Sequence, residues 1–378
     1  MRRGNCGLFE TMSVIPWKIR EAVRAAMDYP ARRRAIASFA GLRRAAGGLP
    51  LVGFGGVLEA GLVHGGAVKL LPLRETFGGP GSEINILYAV SSKQPRFATD
   101  LFAHCRKCGI AIVWNQNGVG YPAWAGSETE RLNRPMRSLR AMASHVIYQS
   151  EFCRESAEKF LGPCPIGSEV LCNPVDLEKF HPPADALPVR PLKLLTLGTH
   201  AYPERVFAAV ECLSILRAGG IEAALTIAGR LLWRGGDEDV RRLVRSLKLE
   251  SSTTILPPFS QEEAANLYRA HHIVLHPKYM DPCPTVAIEA LASGCPVVGS
   301  NSGGMPELVG SDCGILVAAA TDWSRMVTPA GADLAGAVQA LVLRLEAARA
   351  AARQRAERLF DVRKWLARHA EIFAGVLR

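Results

Sequence analysis

The sequence predicts an α/β protein of two domains, each built around a parallel sheet. A chain of 378 residues exceeds the size at which a single hydrophobic core usually stops growing. From residue 192 onward, short apolar segments alternate with amphipathic helical segments, which is typical of βαβ units. A proline-rich segment at 182–191 separates this regular half from the half before it and is interpreted as the interdomain linker.

The individual elements are clearest in the C-terminal half. The alternation there predicts strands at 192–197, 223–228, 253–256, 273–276 and 296–299. It predicts helices at 206–218, 237–247, 262–270 and 285–293, and a helical segment at 335–378 with a break near Phe360. The N-terminal half predicts strands at 111–114 and 145–149 and a helix at 134–143. Since parallel sheets bind ligands at the carboxyl ends of their strands, we expect the site in the loops that follow them.

Basic residues are concentrated at the start of the chain. The formal net charge is +10, and residues 1–50 hold ten lysines and arginines but only three acidic residues. This imbalance favours an anionic partner, either a membrane surface or a phosphate-bearing substrate, and no nucleic-acid-binding module accompanies it. Residues 17–44 predict two short helices, broken at Pro30, that can lie on an anionic membrane. The alternative is a solvated pair of helices packed on the domain.

Several classes of protein and site are not favoured by the composition. No apolar run is long enough to cross a bilayer and no signal peptide is recognised, so we expect a cytoplasmic protein, peripheral to the inner face of the membrane if the basic segment binds lipid. Ten cysteines in this length do not make a disulfide scaffold, and Cys105-x-x-Cys108 lacks a second pair. Asp237 and Asp239 open a predicted helix, where acidic residues are expected without a metal.

The most informative segment is 276–300. A predicted strand ends at His276, a loop rich in proline follows, and a helix is expected to begin at Thr285. The free N–H groups and dipole of that helix start can bind a diphosphate without a metal. Asp281 in the loop and Glu289 on the helix are eight positions apart, so their carboxylates can bind hydroxyl groups on either side of the diphosphate.

This segment resembles the E-x7-E region of family 4 retaining glycosyltransferases, with Asp281 in place of the first glutamate. The continuation at 292–298 and the Gly303-Gly304-Met-Pro-Glu307 sequence are similar to segments that follow in that family. Further likenesses at 146–152, 172–182 and 195–198 extend the resemblance over roughly residues 145–318, and the resemblance before that is weaker.

The resemblance implies the GT-B fold, in which two Rossmann-like domains face each other and a C-terminal helix returns to the first. The implied boundaries are an acceptor-side domain at 1–185, a domain that binds the nucleotide sugar at 186–358, and a helical segment at 359–378 that packs back on the first domain.

The resemblance also implies roles for particular residues. Glu289 would bind the donor ribose, Thr285 and Val286 the phosphates, and Asp281 the transferred sugar. The family's usual Gly-Arg pair and lysine are replaced by Gly198-Thr199 and by Arg205, whose planar guanidinium suits phosphate. Asp281, Glu289 and Arg205 are therefore the expected catalytic residues. Further donor contacts are expected from Lys278, Gly198, Gly303 and Gly304.

The first domain is expected to complete the site from the acceptor side. The segment 77–82 resembles the family's glycine-rich loop near the donor phosphates, which implicates Gly78 and Gly79. Asn115 follows a predicted strand where many relatives have a histidine, and its amide can hydrogen-bond a sugar hydroxyl.

The resulting hypothesis is metal-independent transfer of a sugar, with retention, from a nucleoside diphosphate sugar to a hydroxyl of a glycan or lipid-linked acceptor. The nucleotide sugar is a substrate, and no cofactor is expected. The process would be polysaccharide or glycoconjugate biosynthesis. The alternatives are a sugar-nucleotide epimerase or phosphorylase of the same fold and a non-catalytic subunit that binds a nucleotide sugar. A phosphorylase is disfavoured because no cofactor-lysine motif is recognised.

Overall fold

The computed structural model describes residues 17–54, 69–79, 81–164, 166–188 and 190–378. The chain forms two sheets of parallel strands flanked by helices, as predicted. The strands of the first sheet are β1 (Val52–Phe54), β2 (Ile86–Val90), β3 (Ala111–Gln116), β4 (His145–Tyr148) and β5 (Ser168–Val170), which lie in that order. A short parallel pair, Arg43–Arg44 with Glu83–Ile84, lies beside them.

The second sheet follows the predicted linker segment. Its strands are β6 (Leu192–His200), β7 (Ala223–Leu231), β8 (Thr253–Leu256), β9 (Ile273–His276), β10 (Val297–Asn301) and β11 (Gly314–Ala318). Their order in space is β8-β7-β6-β9-β10-β11, with every neighbouring pair parallel. The chain therefore winds outward from β6 in one direction and from β9 in the other, which is the doubly wound arrangement of nucleotide-binding folds.

The larger helices connect these strands. They are α1 (Trp17–Phe39), α2 (Leu70–Phe77), α3 (Ala98–Lys107), α4 (Thr129–Arg140), α5 (Glu151–Leu161), α6 (Pro203–Ala218), α7 (Gly236–Ser246), α8 (Gln261–Arg269), α9 (Thr285–Ala292), α10 (Gly331–Val342), α11 (Leu345–Leu359) and α12 (Val362–Leu377). None of the helices described here is long and apolar enough to cross a membrane.

Several details differ from the predictions, which did not include strands β1 and β5 or helices α2, α3 and α5. Strand β2 was not predicted, although all five of its residues are buried, because a continuous apolar run carries no strand periodicity. Helix α1 continues through Pro30 and is not split there. On its described part, Arg32 binds Asp100 of α3 through two hydrogen bonds of 2.7 and 2.8 Å, so that part packs on the domain. The C-terminal helical segment has a second break, between α10 and α11.

The last helix returns to the first sheet, as the fold prediction requires. Phe373 of α12 contacts Phe77 edge to face, with ring centroids 5.1 Å apart. His369 lies 3.2 Å from the Tyr88 hydroxyl of β2, in a buried aromatic cluster that includes Trp365. Because α12 buries its apolar face against the N-terminal sheet, it closes the core of the first domain with residues from the end of the chain.

The two domains are also joined directly beside the cleft. Glu307 belongs to the second domain. Both of its carboxylate oxygens accept backbone N–H bonds at the start of α5, from Glu151 at 2.6 Å and from Phe152 at 2.9 Å. The Ser150 hydroxyl donates to the carbonyl of Pro282 at 2.7 Å, and Trp323 stacks on the Phe152 ring. These contacts fix the loop that follows β9 against the first domain.

Candidate active site at the domain cleft

A cleft with a cavity of about 430 Å³ lies between the two domains. On the side of the second domain, the cleft is bordered by the ends of β6 and β7 and by the loop after β9. Since β6 and β9 are the strands at which the chain reverses its winding direction, this is the position where doubly wound sheets bind nucleotides. The opposite wall contains Asn117, Gln149 and Asn173 of the first domain.

Two glycines keep the backbone of β6 and β7 close together at the cleft. Gly198 and Gly229 are paired in the sheet and have φ angles of 110° and 113°, a region that other residues rarely adopt. A Cβ atom on Gly229 would lie 2.0 Å from the carbonyl oxygen of Gly198. The predicted donor-site residue Gly198 therefore lines the cleft with backbone alone, which leaves room for a ligand.

Helix α9 points its N-terminus at the cleft. It begins after Pro284, no side chain caps it, and Thr285 and Val286 line the cavity. The helix follows a proline-containing loop because Pro284 cannot donate a backbone hydrogen bond and fixes an extended entry into the first turn. Free N–H groups and the helix dipole make this end suited to an anion.

Asp281 is held as a carboxylate in the loop before α9. Lys278 lies 3.0 Å from its Oδ2 atom, and His276 Nε2 lies 3.1 Å from the same oxygen. Burial alone would raise the pKa of Asp281, but the Lys278 ammonium and the His276 hydrogen bond outweigh it and hold the pKa well below its usual value. Lys278, a candidate from sequence, is therefore an ion-pair partner of Asp281 that also lines the cleft.

His276 connects this carboxylate to Arg205. An Arg205 Nη2 atom lies 3.3 Å from His276 Nδ1, and since a guanidinium only donates, Nδ1 must accept and Nε2–H donates to Asp281. Burial and the neighbouring Arg205 lower the pKa of His276 to about 4, which agrees with the neutral ring that this pattern requires. From the sequence, His276 was placed only at the end of a predicted strand. Its role depends on a residue 71 positions earlier, which no local pattern shows.

Arg205 itself lies at the cleft with part of its guanidinium unused. Nη2 donates to the carbonyl of Leu197 at 2.7 Å, while Nε has no hydrogen-bond partner among the described residues. Burial lowers the pKa of Arg205 to about 10, so the group stays charged at neutral pH. A buried cation with an unsatisfied donor beside a helix N-terminus can bind an incoming phosphate.

Glu289 lies one helical turn inside α9 and is buried at the cleft. The Tyr268 hydroxyl donates to Oε2 at 3.0 Å, and Gln261 Nε2 donates to Oε1 at 3.2 Å. Burial raises the pKa of Glu289 to about 7 in spite of these two hydrogen bonds, which act in the opposite direction. Each carboxylate oxygen retains a lone pair, so the group can still accept two hydroxyl donors.

Two further glycines were predicted to contact the donor. Gly303 and Gly304 are not among the residues that line the cleft, because they pack beneath its loop. A Cβ on Gly303 would lie 2.5 Å from the Asp281 carbonyl, and one on Gly304 would lie 2.1 Å from that of Pro282. Their backbone supports the loop, and Gly304 N–H donates to the Asp281 carbonyl at 2.9 Å. The structure shows this supporting role, and a direct contact of these glycines with the donor stays a prediction.

Gly78 and Gly79 also lie away from the cleft lining. They follow helix α2 and precede the next strand, so they lie at the amino edge of the sheet and not at the carboxyl edge where ligands bind. Gly78 caps α2 by donating to the Arg74 carbonyl at 2.9 Å. Another glycine pair, Gly65-Gly66, precedes α2 in the sequence and lies outside the described residues.

Asn115 is buried behind the cleft wall and contributes to a network around Lys69. Its Nδ2 donates to Tyr88, and its Oδ1 accepts from Lys69 Nζ at 2.7 Å. Lys69 also lies 3.4 Å from the Oδ1 atoms of Asn117 and Asn173, both of which line the cleft. Asn117 thus lies in the cavity lining and Asn115 behind it, and contact of Asn115 with a sugar stays a prediction.

Lys69 was not identified from the sequence. Three amide oxygens match the three N–H donors of an ammonium group, whereas a neutral amine has only two. Burial lowers the pKa of Lys69 to about 7. The lysine thus orients two amides that face the ligand, and it brings a titratable positive charge to the acceptor-side wall.

The remaining metal and thiol candidates do not form a site in the described part of the chain. No group of three or more potential metal ligands occurs there. Asp237 pairs with Arg241 and Asp239 accepts from the Trp233 indole at 3.1 Å, at the start of α7. Cys105 is buried in α3 as a free thiol.

Comparison with solved structures defines the class of fold. A sucrose-phosphate synthase from Thermosynechococcus elongatus superimposes with a TM-score of 0.62 at 18% identity, covering 81% of this chain and 76% of that one. Anabaena HepE in complex with UDP-glucose gives a TM-score of 0.64 at 16% identity, and the superposition covers 82% of this chain and 89% of HepE. These likenesses and the two facing parallel sheets establish the GT-B fold.

Comparison with protein families identifies the donor-side domain. Residues 179–328 match the family model of glycosyl transferases group 1. A D-inositol 3-phosphate glycosyltransferase from Mycolicibacterium smegmatis is 35% identical over 117 residues, which cover 28% of this chain and 27% of the relative. A D-inositol 3-phosphate glycosyltransferase from Mycobacterium tuberculosis (strain ATCC 25177 / H37Ra) is 34% identical over 159 residues, which cover 39% of this chain and 32% of the relative. The chain thus matches less than a third of the length of these relatives.

Proposed function

We propose that this protein is a retaining glycosyltransferase that moves a sugar from a nucleoside diphosphate sugar to an acceptor hydroxyl. The observation that carries the proposal is the cleft at the switch point of the second sheet. There the uncapped N-terminus of α9 and Arg205 are positioned for a diphosphate, between the carboxylates of Asp281 and Glu289. This combination provides for both the charge and the hydroxyl groups of a nucleotide sugar.

Each residue has a role that its surroundings support. The N–H groups at Thr285 and Val286 and the free Arg205 donor would stabilise the diphosphate, whose negative charge grows as the sugar leaves. Glu289, with two lone pairs available, would accept from the ribose diol. Asp281 stays ionised through Lys278, and would accept from a hydroxyl of the transferred sugar.

The reaction itself breaks the bond between the anomeric carbon and the diphosphate oxygen and forms a bond from the acceptor oxygen to the same face of that carbon. The acceptor proton passes to the departing phosphate oxygen, so the atoms balance without a protein nucleophile. Catalysis would then come mainly from preorganised charge, because the donors are fixed by Leu197, His276 and the helix before the substrate arrives. No metal or cofactor is part of this proposal.

The comparisons support a uridine nucleotide as the first donor to test. HepE was solved with UDP-glucose, and a pneumococcal O-GlcNAc transferase with the same fold was solved with UDP and GlcNAc. The curated relatives are named for D-inositol 3-phosphate, a polyol acceptor that carries a phosphate. A role in glycoconjugate or polysaccharide biosynthesis, in the cytoplasm or at the inner membrane face, is part of the proposal.

The test is binding and slow hydrolysis of donors. UDP and UDP-glucose would be titrated by calorimetry, and release of UDP from a panel of nucleotide sugars would be followed without acceptor. We expect micromolar UDP binding and hydrolysis of at least one donor. Asp281→Asn should weaken UDP-glucose binding and donor hydrolysis, and the exposed control Asp333→Asn should leave both unchanged. Binding without hydrolysis or transfer would favour a non-catalytic subunit, and absence of binding by any nucleotide would refute the proposal.

A further inference from the structure

A second cavity, of about 860 Å³, continues from the donor cleft. The two share five lining residues: Asn117, Thr199, Arg205, Lys278 and Pro282. Beyond this shared edge the second cavity extends between helix α4 of the first domain and the loops after β6 and β9 of the second. It therefore opens where a donor sugar bound in the cleft would present its reacting carbon to the acceptor side.

Most of the surface that lines the rest of this cavity is apolar. It includes Val119, Leu132, Met136 and Met280 together with the rings of four aromatic residues. Leu132 and Met136 are four residues apart on α4, so they lie on one face of that helix. An enclosed space of this size with aliphatic, thioether and aromatic walls binds apolar groups by removing them from water.

The polar atoms of three of the four aromatic residues are already used by the protein. The Tyr121 hydroxyl donates to the Met280 carbonyl at 3.4 Å, and the Trp124 indole donates to the Val119 carbonyl at 3.0 Å. The Tyr279 hydroxyl lies 2.9 Å from the Asp322 carbonyl. Since these groups have partners, the rings offer the ligand their apolar surface.

The cavity's amides are similarly occupied. Gln94 Nε2 donates to the Ser91 carbonyl at 2.8 Å, and Asn117 Nδ2 donates to the Ser92 hydroxyl at 2.8 Å. A fully hydrophilic ligand deep in this cavity would exchange its hydrogen bonds to water for few new ones, which costs free energy. Charged groups line both cavities at the shared edge, through Arg205 and Lys278, and line the second cavity alone at Arg131 and Glu204.

Two large aromatic side chains at the cavity remain open to solvent. Trp124 in the first domain is 44% exposed and Tyr202 in the second is 39% exposed. Exposed aromatic surface that lines a cavity, as opposed to isolated surface residues, is typical of a binding site. A ligand with an apolar part would cover both.

From these observations we infer that the second cavity binds the acceptor, and that this acceptor is amphipathic, with its reacting hydroxyl attached to an alkyl or isoprenoid chain. The hydroxyl would lie at the shared edge near Arg205 and Lys278, and the chain along Val119, Leu132 and Met280. The inference rests on the proposed function, which supplies the donor that this acceptor meets.

The experiment compares two ligands that share one polar head. Methyl β-glucoside and octyl β-glucoside, the latter below its micelle concentration, would be titrated into the protein saturated with UDP. Each buried methylene adds about 0.8 kcal/mol, or about fourfold in affinity. Burial of three of the seven additional methylenes would therefore make octyl glucoside bind about 60-fold more tightly than methyl glucoside.

Variants locate the effect. Leu132→Glu should remove most of the preference for the octyl chain, and Leu132→Ala, which keeps the wall apolar, should reduce it severalfold. Leu343→Glu, at a leucine that is 89% exposed, is the matched control and should keep the full preference.

Equal binding of the two glucosides, or no binding of either, would overturn the inference. So would an octyl preference that Leu132→Glu leaves intact. Failure of UDP to bind is a separate result, because it would refute the proposed function while the glucoside comparison still reports on the cavity.

Discussion

Replacing Glu289 by glutamine should make the protein more stable and at the same time impair donor binding. The carboxylate is buried, and burial raises its pKa from an ordinary 4.5 to about 7. A group whose pKa is raised in the folded state contributes most to the free energy of unfolding at low pH, and that contribution is lost as pH rises through the folded-state pKa. Wild-type protein at pH 8 therefore holds an ionised carboxylate at a cost in stability that glutamine avoids.

The magnitude follows from the size of the shift. A difference of 2.5 pKa units corresponds to about 3 kcal/mol, since one unit is worth about 1.4 kcal/mol. We expect Glu289→Gln to be more stable than wild type by up to about 3 kcal/mol at pH 8 and nearly equal to it at pH 4.5. Tyr268 can still donate to the amide oxygen, and Gln261 can rotate its own amide to accept.

Donor affinity should change in the opposite direction. The ribose diol would lose a charged acceptor, which is worth about 1.5–3 kcal/mol, or about 10- to 150-fold in affinity. Urea unfolding at pH 4.5 and pH 8 and calorimetric titration with UDP measure the two effects, with the exposed Glu250→Gln as control. Loss of stability in Glu289→Gln at pH 8, or wild-type affinity for UDP, would show that Glu289 is an ordinary structural residue.

The remaining predictions concern other parts of the site and the N-terminal helix. Arg205→Met should weaken UDP binding about 10- to 100-fold and Arg205→Lys less, whereas equal affinities would exclude a phosphate contact. Lys69→Met should lower the free energy of unfolding by about 1–3 kcal/mol, because three amide oxygens lose their donor. Burial lowers the Lys69 pKa to about 7, so the free energy of unfolding of wild type should increase relative to that of Lys69→Met as pH rises from 7 towards 10. A difference in unfolding free energy that does not change with pH would contradict the lowered pKa of Lys69. UDP binding should be unchanged when a chelator is added. Loss of UDP binding in the chelator, with recovery when manganese is added, would refute metal independence. Full-length protein should sediment with anionic vesicles at low salt but not at high salt, and equal, negligible sedimentation with neutral and anionic vesicles would leave α1 as a helix packed on the domain.

The donor-side half could be predicted well because its signals are local. Gly198 and Gly229 lie two residues before the ends of paired strands, and the loop before Thr285 places a carboxylate close to a helix start. Strand ends, turns and helix starts are indicated by residue types that are adjacent in sequence, so the second sheet and the cleft-lining loop could be predicted. The doubly wound strand order then brings the separate loops to one edge.

The missed features depend on contacts between distant parts of the chain. His276 gains its role only through Arg205, and Lys69 only through amides within or after strand β3 and after strand β5. The function of a glycine pair is ambiguous in sequence for a related reason. A pair such as Gly303-Gly304 can permit close approach of a ligand or of the protein's own backbone, and only the packing against Asp281 distinguishes these uses.

The contact of Glu307 with the start of α5 determines how the cleft can open. Both of its oxygens are bonded to the backbone of the other domain, so separating the domains at this end would leave a carboxylate and a helix terminus without partners. A movement that preserves the contact must pivot about it. Substrate entry and product release would then be rotations about a fixed hinge, and the walls of the cleft would return to the same alignment after each turnover.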